Sequence, residues 1–268
     1  MSEEQNINLK NIKINIVKMT HASKASHVGS CLSIADILYI LYFKVLKIDP
    51  KQPYLSIRDK FILSKGHASA ALYATLAERG FFPREFLKEF HIDNGKLPGH
   101  LDKEAVPGVE VSSGSLGHGL SIGLGMALAN KLQKNPGRVY VLLGDGECNE
   151  GSIWEAIMLA PNINLDNLIV IVDYNKLQGF GRTNEIIQQE NIKSRWQEFS
   201  WEACEIDGHN LLAIEEALLQ PQKAPKVIIA HTVKGKGVSF MEDKLEWHYK
   251  SPNDEQLKQS IKELDGLL

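Results

Sequence analysis

The stretch VYVLLGDGECNEGSIWEA, residues 139–156, decides the fold. Residues 139–143 form an unbroken apolar run, the pattern of a parallel strand buried on both faces. The run stops at Gly144-Asp145-Gly146. A helix is expected just after Gly151, with Ser152 and Glu155 as a capping box and Pro161 at its far end. In open α/β sheets, ligands bind outside the carboxyl ends of the strands. The two glycines let the backbone turn and approach a ligand closely. Asp145 offers a hard oxygen to a cation, and the helix start offers free N–H groups to an anion.

A second run, LIVIVDYNKL at 168–177, carries Asp173, Asn175 and Leu177 at its end. If the two strands are adjacent and parallel, their ends lie side by side. Asn175 then joins Asp145 on one cation through its amide oxygen, with the Leu177 carbonyl as a third ligand. One carboxylate, one amide and one carbonyl leave room for two phosphate oxygens on Mg²⁺. GDG alone is an ordinary strand-to-helix turn with a capping Asp. The D-x-N strand end about 30 residues on favours a metal holding a diphosphate.

Working outward, Leu9, Ile12, Ile16 and Met19 recur at steps of three and four, which predicts an amphipathic helix. A small-residue loop with His27 follows. Ser33 and Asp36 then read as a capping pair before IADILYILYFKVL, a helix apolar nearly all round and so either core or subunit interface. FILS at 61–64 predicts a strand that leads through Lys65, Gly66 and His67 into a helix stopped by Gly80. Residues 81–113 are loop-rich, and helix resumes near Leu116 and runs to about Leu132. VIIAH at 227–231 predicts a third buried strand, after a helix near 211–219. Leu257, Ile261 and Leu264 predict a helix in the tail that ends at Leu268. Strands alternating with helices mean an α/β domain with a parallel sheet covered on both faces.

Net charge is −3 with no clustered basic excess, so no nucleic-acid footprint is expected. No run of about 18 apolar residues exists, and the first residues, MSEEQNINLK, lack the apolar segment of a secretory leader. No membrane partner and a cytoplasmic location are expected. Cys31, Cys148 and Cys204 are far apart and odd in number, so they are expected to be inert thiols rather than a disulfide framework. GHGLSIGLG at 117–125 mimics a dinucleotide loop but follows no apolar strand, which predicts a close helix-packing face instead. VKGKG at 233–237 has no Walker pattern and reads as a basic loop near the ligand end.

GDG followed about 30 residues later by Asn resembles the thiamine-diphosphate fingerprint, and GDGECNEGSIWEA with VDYNKLQGFG resembles its transketolase version. SHVGSCLSIADIL, SKGHASAALYATL, LPGHLDKEAVPGVEVSSGSLGHGLS, DGHN and HTVKGKGVSFMED with WH follow in family order across the whole chain. The resemblance implies a three-layer thiamine-diphosphate-binding fold, with a mainly parallel central sheet and helices on both faces. It implies one diphosphate-binding domain over 1–268, with the pyrimidine-binding and C-terminal domains on another chain. By this resemblance the chain is the N-terminal subunit of a split transketolase. It would pair with a C-terminal subunit in an α₂β₂ assembly and act on sugar phosphates.

The same resemblance implies site roles. Asp145, Asn175 and the Leu177 carbonyl would hold Mg²⁺ or Ca²⁺, and Gly146 would touch the diphosphate through its backbone. His67 would contact the cofactor near its diphosphate and thiazolium. The backbone of Gly114, Ser115 and Leu116 would meet the aminopyrimidine. His248 would lie near both diphosphate and substrate, and His27 and His100 would exchange protons with sugar oxygens. Glu150 would sit at the subunit contact, coupling two cofactor sites. Histidine suits proton exchange at neutral pH because it can donate or accept. His21, His91, His118 and His209 are assigned no catalytic role. Two other readings stay open. One is part of another thiamine enzyme, 1-deoxyxylulose-5-phosphate synthase-like or 2-oxo-acid decarboxylating. The other is a non-catalytic cofactor-binding subunit.

Overall fold

The structure is a computed structural model that describes residues 3–266, with side chains from residue 7 onward. Met1, Ser2, Leu267 and Leu268 lie outside the described residues, and with the last two the end of the tail expected to be helical. The chain runs α1 (Glu3–Ser23), α2 (Val28–Leu32), α3 (Ala35–Ile40), β1 (Lys60–Leu63), α4 (Ser69–Arg79), α5 (His118–Leu132), β2 (Val139–Gly144), α6 (Gly151–Asn162) and β3 (Leu168–Tyr174). It continues through α7 (Thr183–Ile186), α8 (Ile192–Glu198), β4 (Glu202–Asp207), α9 (Leu211–Leu219), β5 (Lys226–His231) and α10 (Asp254–Asp265).

All five strands are parallel, in the order β1-β2-β3-β5-β4. Alternation along each central strand sends side chains to two separate cores. Leu63, Tyr140, Leu142, Ile169, Ile171 and Ile228 pack under α1 to α4, α9 and α10. Ile62, Val141, Leu143, Val170, Val172 and Ile229 pack under α5, α6 and α8. Each face is therefore dry, which is why the strands read as continuous apolar runs. The three-layer α/β architecture expected from the sequence is the one observed.

The expected helix-packing role of GHGLSIGLG also holds. A Cβ at Gly119 would lie 2.3 Å from the Ser64 Oγ, and one at Gly123 would lie 2.4 Å from the Val141 side chain. The absent side chains let α5 sit directly on β1 and β2. The apolar helix at 34–46 is core within this chain. Residues 35–42 are buried, and the helix closes in a π-helical turn, Leu41–Val45.

Three local expectations are corrected. Ser33 and Asp36 do not cap α3, whose N-cap is Ile34 with no side-chain cap. The Ser33 hydroxyl donates instead to Asp173 (2.7 Å), and Asp36 pairs with Lys13 and His209. Ser152 and Glu155 do not form a capping box either. The N-cap of α6 is Glu150, and the Ser152 hydroxyl reaches across to the Gly117 carbonyl (3.0 Å). Long-range partners outcompeted the local caps in both places. Finally, β4 is a strand the sequence did not suggest. EACEID lies at the sheet edge and is half-solvated, so charge is tolerated where a central strand demands an apolar run. The reverse happens at α10, where Asn253 and Gln256 form a true capping box.

Candidate functional site

The register of β2 and β3 sets Gly144 opposite Asp173, so the two strand ends do lie side by side. Beyond them, at the carboxyl end of the sheet, is a cavity of about 390 Å³. Asp145, Gly146, Glu150, Asn175, Leu177, His67, Leu116 and His248 line it, joined by Ser30, Lys65, Glu147 and Lys234. A smaller cavity of about 200 Å³ adjoins at His67 and is lined by His27, His100 and His91. Gly114 sits behind His100, where a Cβ would lie 3.0 Å from the imidazole. Ser115 is exposed and lines neither cavity.

Asp145 is 3% exposed. Its Oδ1 accepts from the Gly146 N–H (2.7 Å), and its Oδ2 accepts from the Lys176 N–H (2.7 Å) and the Thr183 hydroxyl (2.8 Å). Among the described residues no cation pairs with it. Burial, then the neighbouring Asp173 charge, raises its pKa above the ordinary carboxylate range. Asn175 accepts from the Leu177 N–H through Oδ1 (3.0 Å) and donates to Asp173 Oδ2 (2.9 Å). No three His, Cys, Asp or Glu side chains among the described residues form a metal-ligand group. The donor set is a different one: a single unneutralised buried carboxylate with an amide and a carbonyl close by. That composition suits a hard cation which takes the rest of its ligands from phosphate and water. Gly146 completes a cradle, because a Cβ there would meet the Gln178 side chain at 2.8 Å.

Asp173 is not part of that donor set. It is fully buried and takes the Lys65 ammonium (2.5 Å), the hydroxyls of Ser33 and Thr232, and the Asn175 amide. Although burial opposes it, Lys65 holds its pKa below the usual range. Glu147 is a second buried carboxylate that the sequence did not single out. It accepts from Ser64, from the Gly117 N–H (2.9 Å) and from the Gly144 N–H (3.0 Å), tying the ends of β1 and β2 to the start of α5. Burial raises its pKa.

Four histidines converge beside this cluster. The His27 ring centroid lies 4.9 Å from His67, 4.9 Å from His248 and 6.3 Å from His100. His27 holds φ +72 at the N-cap of α2, a conformation costly for a residue with a Cβ, and its N–H donates to the His248 carbonyl (3.0 Å). Burial, followed by nearby His100, Lys234 and Lys65, pushes the His27 pKa down to about 4. Burial and Lys234 push His248 to about 3, and burial with Lys65 takes His67 well below its ordinary value. The rings of His27, His67 and His248 are therefore neutral at pH 7 and can serve as donor or acceptor.

Lys65 and Lys234 are the cations that sequence reasoning left without a role. Lys234, in the VKGKG loop, is 1% exposed, and its ammonium donates to the Leu177 carbonyl (2.7 Å) and sits 2.9 Å from His248 Nδ1. Burial and Lys65 push its pKa down to about 8. A signal for Lys65 existed: a lysine directly after a buried strand end has nowhere to go but into the site. The thiols match expectation. All three cysteines are free, and burial takes Cys148 far above thiolate-forming range. No helix among the described residues is long and apolar enough to cross a membrane.

Residues 4–266 match the family described as transketolase, thiamine diphosphate binding domain. The chain is 42% identical over 252 residues to one subunit of the apulose-4-phosphate transketolase of Phocaeicola vulgatus, spanning 93% of this chain and 89% of that protein. It is 44% identical to the 6-deoxy-6-sulfo-D-fructose transketolase subunit SqwG of a Clostridium species, spanning 89% and 88%. Human transketolase is 38% identical over 94% of this chain, which spans 41% of that protein. Among solved structures, the transketolase of Pichia stipitis in complex with sedoheptulose 7-phosphate superposes with a TM-score of 0.92 at 30% identity, over 98% of this chain and 41% of that one. With its sequence matched nearly end to end and its five-stranded core superposable on solved enzymes, the chain belongs to the transketolase family.

Proposed function

We infer that the chain is the diphosphate-gripping subunit of a two-chain transketolase. With a C-terminal partner subunit, in an α₂β₂ assembly, it transfers a two-carbon ketol unit from a ketose phosphate to an aldose phosphate. The observation that carries this reading is one cavity holding an unneutralised buried carboxylate, Asp145, on one side and the imidazoles of His67 and His248 on the other. Three relatives that match over most of their own length are named as subunits, which supports the division between two chains. The relatives' named substrates favour a specialised ketose as donor.

Asp145, Asn175 and the Leu177 carbonyl would hold Mg²⁺ or Ca²⁺, and the Gly146 backbone with Lys234 would face the diphosphate. When bound, thiamine diphosphate supplies the electron sink that stores the carbanion left by C–C cleavage beside a ketone. His27 and His100, at the adjoining cavity, would bind the sugar and pass protons to and from its carbonyl and hydroxyl oxygens. Burial and the nearby cations keep His27 neutral, so it can accept a proton from a hydroxyl. His67 and His248 would stand between cofactor and sugar. The 114–116 backbone would meet the aminopyrimidine. Glu150, exposed on this chain and lining the cavity, would meet the partner. The whole of 1–268 would serve as one diphosphate-binding domain.

The test is to purify the chain alone and with the protein that co-purifies from its native operon, then assay ketol transfer with thiamine diphosphate and Mg²⁺. Activity only with the partner is expected. Robust transfer by the chain alone would overturn the two-chain reading, and no uptake of thiamine diphosphate would overturn the cofactor reading.

A further inference from the structure

We propose that His209 is a positioning residue for Lys234, acting through the backbone of Val233. The proposal rests on the cofactor reading above. A chain of contacts crosses the molecule from α1 to the site. The Lys13 ammonium pairs with Asp36 Oδ1 at 2.7 Å. Asp36 Oδ2 lies 2.7 Å from His209 Nδ1, and the Val233 N–H donates to His209 Nε2 at 2.8 Å. An imidazole nitrogen that accepts carries no proton, so the His209 proton is on Nδ1 and is given to Asp36. Asp36 thereby fixes both the tautomer and the orientation of the ring, the role a carboxylate plays behind any working imidazole.

Asp36 is 4% exposed, and burying a carboxylate inside an apolar helix is expensive unless its partners are well arranged. Lys13 neutralises the charge, and His209 is the partner that leads onward. Besides two backbone bonds, Asp243 N–H to the Lys234 carbonyl (2.9 Å) and Thr232 N–H to the Tyr174 carbonyl (3.3 Å), the loop it grips is held at three points. The Thr232 hydroxyl donates to Asp173, the Val233 N–H to His209, and the Gly235 N–H to the Gly29 carbonyl (3.0 Å). Between the second and third points the Lys234 side chain enters the cavity. A buried ammonium stays on target only if its backbone cannot swing, because every alternative that keeps it dry leaves it unpaired. His209 supplies the side-chain restraint on the loop backbone nearest to it in sequence. This also accounts for the DGHN motif and for Asp36, which local capping does not explain.

The decisive substitution is H209N. Asparagine keeps a donor where Nδ1 stands, so Asp36 stays satisfied, but it is too short to reach Val233. H209Q extends an acceptor to the place of Nε2 and is the rescue. Two readouts on the full chain suffice. In the first, hydrogen–deuterium exchange without cofactor should rise in residues 232–236 for H209N and return towards wild type for H209Q. In the second, calorimetric titration of the chain together with its partner subunit should show H209N binding thiamine diphosphate with Mg²⁺ about tenfold more weakly, the effect of one lost hydrogen bond. H209N/K234A should bind no more weakly than K234A alone, because a residue that acts through Lys234 has nothing left to position. Additive losses in the double variant, or unchanged exchange in 232–236, would overturn the proposal. If the exchange effect is present while the wild-type chain with its partner takes up no thiamine diphosphate, the cofactor reading fails and the anchoring of the loop stands.

Discussion

The ends of β2 and β3 carry two aspartates one residue out of register, both buried, and their electrostatics run in opposite directions. Asp173 has a lysine, two hydroxyls and an amide around it, and its carboxyl is held below the ordinary range. Asp145 has two N–H groups and a hydroxyl, no paired cation among the described residues, and a raised pKa. Burial is common to both and opposes ionisation in both, so the partners decide. A carboxylate finished by the protein is part of the framework. A carboxylate left in need of positive charge at the mouth of a cavity is a binding group.

The comparison breaks most visibly on the Asp173 side. K65A removes the cation paired with a fully buried carboxylate and should cost about 3–5 kcal/mol of stability, the penalty for one orphaned member of a buried pair. Urea denaturation of the purified chain measures it. A loss below about 1 kcal/mol, the range of exposed pairs, would mean that Asp173 is no framework residue. On the Asp145 side the expected outcome is reversed. D145N removes a charge that is both desolvated and repelled by Asp173 but turns one accepting oxygen into a donor, so its stability loss should be well below that of K65A. Affinity for thiamine diphosphate with Mg²⁺ should fall by at least about a hundredfold, the upper end of what even outer-shell partners of a metal contribute. Unchanged affinity would remove Asp145 from the ligand set.

T183A sharpens the same contrast with a smaller effect. The Thr183 hydroxyl, fully buried, orients Asp145 Oδ2 without reaching the cavity lining. Its loss should weaken cofactor uptake about tenfold while costing about 1 kcal/mol or less in urea unfolding. A stability loss with no change in affinity would mark Thr183 as packing only.

What the sequence made legible follows the same divide. The apolar runs of β2, β3 and β5 are readable because strands covered on both faces leave no choice of residue. The edge strand β4 is not readable, because Glu202 and Glu205 there cost nothing in half-solvated positions. Asp145 and Asn175 stood out because a strand end followed by a turn is a local pattern. Glu147 and Asp173 share those segments, yet their partners Ser64, Lys65, Ser33 and Thr232 come from elsewhere in the chain. The failed caps at Ser33 and Ser152 belong to the same class. A hydroxyl near a helix start is a capping signal only if no distant acceptor competes for it, and distance in space is what one sequence withholds. The histidines could be gathered only through the family likeness, since His27, His67, His100 and His248 are scattered over four separate segments.

Lys65, the cation that finishes Asp173, also acts on the imidazoles, as does Lys234, which gives the smallest and most specific test. Burial, followed by the nearby His100, Lys234 and Lys65, holds the His27 pKa at about 4 against an ordinary 6.5. The sign follows from proton binding. Above pH 6.5 neither the folded nor the unfolded chain protonates this ring, so it leaves stability untouched. As pH falls from 6.5 towards 4, the unfolded chain gains a proton that the folded chain refuses, and stability is lost across that window. Below about 4 both states are protonated and the loss is complete. His248 and His67 act in the same direction, so wild type should lose stability steadily on acidification. H27N takes one ring out of that sum. The difference in melting temperature between variant and wild type should therefore be flat above pH 6.5 and shift in favour of the variant by a few degrees as pH falls to 4. A difference that stays flat to pH 4 would show that burial and the neighbouring charges do not lower the His27 pKa in the folded chain. The opposition between the two strand ends would then be local to the carboxylates rather than a field shared by the whole site.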